Sequence, residues 1–179
     1  MRILGIDPGT LTTGYGVIDS DGERHALLGY GGISSPKKLA FSQKLLVVYQ
    51  GLLKVIEDCG PEHVVVEALF HAVNVKSALR LGHVRGVALL AGVSRGLPVH
   101  EYTPLEVKQA VVGYGRADKE QVQEMVKFLL GLEERPEPHD AADALATALC
   151  HAHRLRFAEK TLAHGAASST PSRPRQPGR

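Results

Sequence analysis

The sequence lacks the residues that mark several protein classes. Its 179 residues include no tryptophan, five tyrosines, four phenylalanines and only two cysteines. Cys59 and Cys150 lie far apart in no Cys-x-x-Cys pair, so neither disulfides nor thiolate zinc sites are expected. No apolar run approaches the roughly 20 residues that a membrane span needs. Residues 1–7 enter a strand pattern at once, which leaves no room for a signal peptide. These absences predict a reduced, cytosolic protein with no membrane association.

Composition and charge indicate an ordinary globular domain. Hydrophobic residues make up 44% of the chain and charged residues 22%, which is enough for one compact core and argues against disorder, collagen or a coiled coil. Residues 1–157 carry 17 basic and 18 acidic groups, so bulk charge gives no reason to expect nucleic-acid binding. Residues 76–119 are mostly basic, however, and residues 120–143 are mostly acidic. This asymmetry is typical either of a basic surface beside an acidic site or of a solvated mixed surface.

The order of hydrophobic patterns predicts one α/β domain. Three short β-type runs separated by turn residues favour an antiparallel meander, and the later strand–helix–strand unit favours a parallel pair. The sheet would therefore have five strands and be flanked by helices on both faces. The predicted strands cover residues 2–7, 14–19, 25–34, 63–67 and 97–102, and the predicted helices cover 41–59, 74–95, 104–112, 118–129 and 139–157. Residues 1–157 would form the domain, and residues 158–179, rich in Ala, Ser, Pro and Arg, a disordered tail.

Two acidic residues end predicted strands. Asp7 closes the first strand, and Glu67 closes a continuous run of valines that is typical of a buried parallel strand. A buried carboxylate is costly unless it is paired or binds a metal, and ligands of α/β sheets gather at the carboxyl ends of strands. Either acid alone could be a turn or cap residue, but two on neighbouring strands favour a site.

Two further acids open the last helix. The three-residue spacing of Asp140 and Asp143 places both on one helix face, where helix capping is the alternative interpretation. Small residues around Asp143 indicate close packing instead. Four converging carboxylates would repel one another unless hard divalent cations such as Mg²⁺ or Mn²⁺ bound them. Two such ions about 4 Å apart can support phosphodiester hydrolysis.

The nine histidines form no zinc motif. His151 and His153, two residues apart on a helix, are expected to face different ways. His139 could be an extra ligand or a proton relay beside Asp140, although a surface histidine is an equally simple interpretation.

Several other residues could contact DNA. Phe70, three residues past Glu67, could stack on an unpaired base or be buried in the core. Basic residues are either phosphate contacts or plain surface charge; they are Lys76, Arg80, Lys108, Arg116 and Lys119. Helix 74–95 is apolar nearly all round and contains Gly82 and Gly86, which suggests the close approach of another backbone. Either a symmetric dimer or the protein's own helices would cover it.

Six segments in register together resemble the RuvC family of bacterial Holliday-junction resolvases. They are Gly5-Ile-Asp-Pro-Gly9, Thr13-Gly-Tyr-Gly16, Val66-Glu67 with Phe70, Arg85-Gly86, Lys108-Gln-Ala-Val-Val-Gly113 and Asp140-Ala-Ala-Asp-Ala-Leu-Ala146. The resemblance spans nearly all of residues 1–157. It implies an RNase H-like fold, a homodimer, and Mg²⁺-dependent cutting of two opposed strands in a four-way DNA junction. It also implies work with the RuvA–RuvB branch-migration complex in recombination and repair.

The resemblance carries over to individual positions. Asp7, Glu67, Asp140 and Asp143 match the family's four metal-binding catalytic positions, although some members have histidine at the position of Asp140. Lys108 and Lys119 match basic residues implicated in DNA contact or catalysis. Phe70 matches an aromatic residue near the junction centre. Two Mg²⁺ ions per site are implied, with Mn²⁺ as a substitute.

Three other functions fit some of the same residues. A different RNase H-like nuclease could act on RNA or on another branched structure. A non-catalytic protein could keep the fold and only bind junctions, although the four acids argue against this. The hairpin Asp7-Pro8-Gly9-Thr10 could grip a phosphate as in actin-fold kinases, but those enzymes need two domains.

Overall fold

The computed structural model describes residues 1–68 and 74–167, with side chains described as far as Thr161. One sheet is flanked by helices on both faces. Its strands are β1 (Arg2–Asp7), β2 (Thr12–Ser20), β3 (His25–Ser34), β4 (His63–Glu67) and β5 (Val99–Tyr102). The helices are α1 (Phe41–Cys59), α2 (Val75–Val93), α3 (Pro104–Val112), α4 (Lys119–Leu130) and α5 (His139–Ala167). No helix among these residues is long and apolar enough to cross a membrane.

The strands lie in the order β3-β2-β1-β4-β5. β1 pairs antiparallel with β2, and β2 pairs antiparallel with β3, as expected for strands joined by short turns. β1 pairs in parallel with β4, and β4 with β5. The predicted five-stranded mixed sheet of RNase H-like type, with helices on both faces, is confirmed.

The alternation of side chains along the strands divides the core into two layers. Val64 and Val66 of β4 pack with residues of α1 and α2, whereas Val65 packs with residues of α3, α4 and α5. Ile3 of β1 lies on the same side as Val65. Since side chains two or four residues apart share a face, Asp7 and Glu67 also point towards α5.

Two glycines allow α5 to lie directly on the sheet. A Cβ atom on Gly5 would lie 2.0 Å from the carbonyl oxygen of Ala144, and one on Gly14 would lie 2.0 Å from that of Asp140. No other residue could occupy these positions without moving the helix backbone. The close contact brings the first turns of α5 over the ends of β1 and β2.

The predicted helices form, and α4 begins as its sequence indicates. Asp118 caps α4 by accepting a hydrogen bond from the backbone of Gln121, whose side chain returns the bond. The predicted end of the last helix at Phe157 is wrong, because α5 continues to Ala167. The stretch beyond Phe157 is rich in alanine and contains no proline before Pro171, so nothing in it stops a helix. The expected disorder of residues 168–179 lies outside the described residues and stays a prediction.

A candidate metal centre at the ends of β1 and β4

Three acidic side chains from separate elements meet in one cleft. Asp7 ends β1, Glu67 ends β4 on the neighbouring strand, and Asp143 lies one turn into α5. The cleft has a volume of about 280 Å³ and is lined by these acids and by Pro104, Val107, Lys108, Lys119, Val122 and Ala146. Its walls therefore combine oxygen ligands with two lysines and a small apolar surface.

Burial and mutual repulsion make ionisation of the strand acids costly. The pKa of Asp7 is raised well above its ordinary value, first by burial and then by the charges of Asp143 and Asp140. The pKa of Glu67 is raised by burial and then by the charges of Asp7 and Asp143. Because both pKa values are raised and the two side chains are close enough to hydrogen-bond, the pair can share one proton. When no cation is bound, a shared proton leaves the pair with one negative charge instead of two.

Lys119 provides positive charge at the mouth of the cleft. Its Nζ atom lies 3.4 Å from Oδ2 of Asp143, and its side chain is 75% exposed while that of Asp143 is 20% exposed. The charge of Asp143, followed by those of Asp7 and Glu67, raises the pKa of Lys119. One mostly exposed ammonium group only partly offsets three carboxylates, because solvent screens it.

Asp140 and His139 lie beside this group. Asp140 does not line the cleft, but its charge contributes to the raised pKa of Asp7. His139 is exposed and accepts a hydrogen bond at Nδ1 from the side-chain amide of Gln123, which is itself buried. The structure thus brings together Asp7, Glu67 and Asp143, with Asp140 as a close neighbour.

The predicted DNA contacts are distributed over more than one surface. Lys108 and Lys119 line the cleft, while Lys76, Arg80 and Arg116 are exposed elsewhere. None of these residues except Lys119 forms an ion pair within the described parts of the chain. Their charges are therefore available to phosphates. The prediction for Phe70 falls outside the described residues.

A second basic hollow lies around Arg80. It measures about 260 Å³ and includes Lys37 and Lys44, with Thr10 and Leu11 on its rim. The guanidinium group of Arg80 lies 5.5 Å from the ring centroid of Phe41, which holds it in place. Lys37 and Lys44 were not predicted as DNA contacts, because they lie about 40 residues before Arg80 and only the fold brings them together. The one signal in the sequence was the basic pair Lys37-Lys38, which begins three residues after the end of β3.

The cleft fits hard divalent cations. Carboxylate oxygens are its only anionic groups, and oxygen is the ligand that Mg²⁺ and Mn²⁺ prefer. The pKa values of Asp7 and Glu67 are raised first by burial and then by the repulsion of neighbouring carboxylates. A bound cation would relieve this repulsion. The donor set therefore agrees with the predicted Mg²⁺ site.

Comparison with known proteins identifies the family. Residues 3–151 match the family model of crossover junction endodeoxyribonuclease RuvC. A RuvC of Alkaliphilus oremlandii is 51% identical over 159 residues, which cover 89% of this chain and 97% of that protein. The chain belongs to the RuvC family. The family resemblance expected from the six sequence segments is thereby confirmed.

Solved structures of RuvC agree with this assignment. The structure of Thermus thermophilus RuvC superposes with a TM-score of 0.81 at 36% identity, over 88% of this chain and 97% of that one. A structure of T. thermophilus RuvC in complex with a Holliday junction substrate matches with a TM-score of 0.80 at 34% identity, over 88% and 96% of the two chains. The family is one of crossover junction endodeoxyribonucleases, so the chain is grouped with DNA-cutting enzymes rather than with phosphotransferases.

Proposed function

We propose that this protein resolves four-way DNA junctions by Mg²⁺-dependent hydrolysis of phosphodiester bonds. The observation that carries the proposal is the convergence of Asp7, Glu67 and Asp143 in one cleft, in a chain of the RuvC family. When bound, two Mg²⁺ ions supply the Lewis acidity that activates water and stabilises the leaving oxygen. Mn²⁺, which has similar ligand preferences, is expected to substitute.

The side chains of the cleft have separable tasks in this proposal. Asp7, Glu67 and Asp143 would hold the ions, and Asp140 would complete the set from the side of β2. The ammonium group of Lys119 would stabilise negative charge that develops on the phosphate. Lys108, which also lines the cleft, would bind a neighbouring phosphate. The apolar surface of Val107 and Val122 limits the access of water to the acids.

Binding of the junction would use the exposed cations outside the cleft. Arg80 with Lys37 and Lys44 forms one basic surface, and Lys76 lies in the first turn of the same helix as Arg80. Sequence-independent contacts of this kind position a DNA backbone and weaken with added salt. We expect exposed Arg116 to add a further phosphate contact, and Phe70 to stack on a base near the junction centre.

A homodimer would supply two active sites for two opposed cuts. Along α2, apolar side chains remain uncovered within the described chain, with Leu79 61% exposed and Leu90 55% exposed. Gly82 and Gly86 lie in the same groove, and a Cβ atom on either would meet nothing. The helices in the described parts of the chain therefore do not cover this face. A symmetric partner that presented the same helix would bury it.

The nuclease assignment is tested by comparing substrates. Purified protein with Mg²⁺ should cut a four-way junction, and it should cut linear duplex and RNA–DNA hybrid far more slowly. Asp143→Asn should retain junction binding and lose at least 100-fold in cleavage rate, since it removes a ligand of the ions. The matched control is Asp58→Asn, which removes an exposed carboxylate on α1 that pairs with Lys54.

Each alternative predicts a different outcome. Preferential cutting of the RNA hybrid would indicate another RNase H-like nuclease. Junction binding without cleavage in Mg²⁺ would indicate a binding protein, and a normal cleavage rate for Asp143→Asn would exclude the assigned role of that acid. Cleavage that is lost with EDTA and restored by Mg²⁺ is the expected result. Cooperation with RuvA–RuvB in cytoplasmic recombination and repair, which the family implies, belongs to the same proposal.

A further inference from the structure

Three histidines from distant parts of the chain meet at the other end of the sheet. His63 begins β4, His100 lies in β5, and His151 lies in α5. Nδ1 of His63 is 3.3 Å from Nε2 of His100 and 3.1 Å from Nε2 of His151. One nitrogen from each ring lies within 4.8 Å of the other two.

Hydrogen bonds alone satisfy this arrangement poorly. An imidazole nitrogen offers either one N–H or one in-plane lone pair, never both. Nδ1 of His63 faces two other nitrogens at once, so its single N–H or lone pair must be divided between two contacts. A cation that accepts a lone pair from each ring satisfies all three nitrogens together.

We propose that His63, His100 and His151 form a second metal site, for a divalent transition-metal cation such as Zn²⁺. Tetrahedral Zn²⁺ with Zn–N bonds of about 2.0–2.1 Å requires ligand nitrogens about 3.4 Å apart, close to two separations observed here. Imidazole suits Zn²⁺, Ni²⁺ and Cu²⁺ better than Mg²⁺, so this site and the acidic cleft select different ions.

The surroundings of His151 prepare it for coordination. Its side chain is fully buried, and the hydroxyl of Tyr102 lies 2.8 Å from its Nδ1 atom. Such a partner on the other ring nitrogen fixes the orientation of a metal-binding histidine. His63 and His100 are only half-buried, which leaves an entry path for the ion.

The site would fasten together the elements that carry the acids. Glu67 lies four residues beyond His63 on β4, and Asp143 lies eight residues before His151 on α5. Both spacings correspond to about 12–13 Å, at 3.3 Å per strand residue and 1.5 Å per helix residue. The cation would thus be a structural clamp of α5 on β4 and β5, remote from the hydrolytic chemistry.

Metal titration of the full chain tests the proposal. Protein stripped with EDTA, desalted and saturated with Mg²⁺ should bind one equivalent of Zn²⁺ by isothermal titration calorimetry, and Zn²⁺ should raise the Tm. Co²⁺ in the same protein should give the intense visible absorption of a tetrahedral nitrogen site. His63→Gln and His100→Gln each remove a ligand and should weaken Zn²⁺ binding by at least about tenfold. Even the loss of a group that only hydrogen-bonds to a metal ligand lowers metal affinity by about 10–100-fold.

Two control variants separate this site from other sources of binding. His83→Gln removes an exposed histidine of α2 that hydrogen-bonds to the carbonyl group of Leu79 and lies against the ring of Phe41, and it should leave the Zn²⁺ affinity unchanged. Asp143→Asn should also leave the Co²⁺ spectrum unchanged, which makes the result independent of the nuclease proposal. Because His151→Gln could fail to fold, the half-exposed His100 is the decisive ligand. Absent Zn²⁺ binding, equal binding by the His63 and His100 variants, or loss of the spectrum in Asp143→Asn would each overturn the second site.

Discussion

At the scale of single residues, the shared proton of Asp7 and Glu67 has a measurable consequence. A carboxyl group whose pKa is raised by folding binds more protons in the folded chain than in the unfolded chain between the two pKa values. Stability therefore falls as the pH rises through that interval. Above about pH 6.5 the histidines of the unfolded chain are already neutral, so the opposite contribution of buried His151, whose pKa is lowered by folding, has ended. We therefore expect the Tm of the protein in EDTA to fall from that pH to mildly alkaline pH, as Asp7 and Glu67 ionise.

Glu67→Gln should reduce this pH dependence, because it replaces one of the two acids that share the proton by a neutral side chain of similar size. At alkaline pH in EDTA the variant should be more stable than the wild-type protein. Each kcal/mol of difference in the free energy of unfolding corresponds to about 2–4 °C in Tm. Added Mg²⁺ should raise the Tm of the wild-type protein, most at alkaline pH, and should have little effect on the variant. Glu133→Gln, at an exposed loop position, is the control. A Tm in EDTA that rose with pH over this range would contradict the raised pKa values.

Lys119 should affect the rate of cleavage far more than stability. Its side chain is 75% exposed, so the ion pair with Asp143 contributes at most about 1 kcal/mol to folding. In a buried site, removing one group that stabilises developing charge lowers the catalytic rate constant by about 10²–10³-fold. Lys119 is mostly exposed to solvent, which weakens its electrostatic effect, so we expect a loss at or below the lower end of that range. Lys119→Met should therefore slow single-turnover junction cleavage by about tenfold to hundredfold with an unchanged Tm. Lys54→Met, at the exposed pair on α1, should cut at the wild-type rate; equal rates for the two variants would exclude a role for Lys119.

At the scale of the elements, the position of α5 on the sheet depends on Gly5. A methyl group there would lie 2.0 Å from the carbonyl oxygen of Ala144, so Gly5→Ala must displace the helix backbone. We expect a loss of about 3 kcal/mol or more in the free energy of unfolding, at the upper end of overpacking costs. Cleavage should also fall, because α5 carries Asp143.

Denaturant unfolding provides the measurement, and Gly29→Ala provides the control. Gly29 lies in β3 of the same sheet, where a Cβ atom would have no neighbour within 4 Å. The control should match the wild-type protein in stability to within about 0.5 kcal/mol. Similar losses in the two variants would mean that a general strand effect, rather than the contact with α5, is responsible.

The elements themselves could be predicted because their signals are local. The valines of β4, the cap of α4 by Asp118 and the alternation of β1 each depend on a few adjacent residues. The acids of the cleft could be predicted for the same reason, since each lies where a strand ends or a helix begins. The end of α5 could not be, because the Ala-rich segment after Phe157 is compatible with both a helix and a tail.

Sites assembled by the fold alone escape this kind of reasoning. Of the three clustered histidines, His100 lies 37 residues and His151 lies 88 residues after His63 in the sequence, so they form no short motif. Lys37 and Lys44 join Arg80 only because α1 and α2 pack on the same face of the sheet. Such contacts depend on strand order and helix placement, which a single sequence specifies through packing and not through any short pattern.

At the scale of the whole molecule, the uncovered groove of α2 should determine the oligomeric state. Leu79 and Leu90 project from α2, and Gly82 and Gly86 between them leave room for a partner helix. A charge in the middle of a buried apolar interface is costly, so Leu79→Glu should shift the protein from dimer to monomer. Sedimentation velocity over a range of protein concentrations measures this shift.

The matched control is Phe128→Glu, a change of the same kind on the opposite side of the sheet. Phe128 of α4 is 77% exposed, more than Leu79, yet it lies outside the groove. If exposed apolar area alone drove association, both variants would dissociate; if the groove of α2 is the interface, only Leu79→Glu will.

In the dimer, two clefts act on one junction, so the monomeric variant should nick single strands of a junction while losing the paired cuts that release linear products. A Leu79→Glu protein that sediments as the wild type and makes paired cuts would exclude this interface.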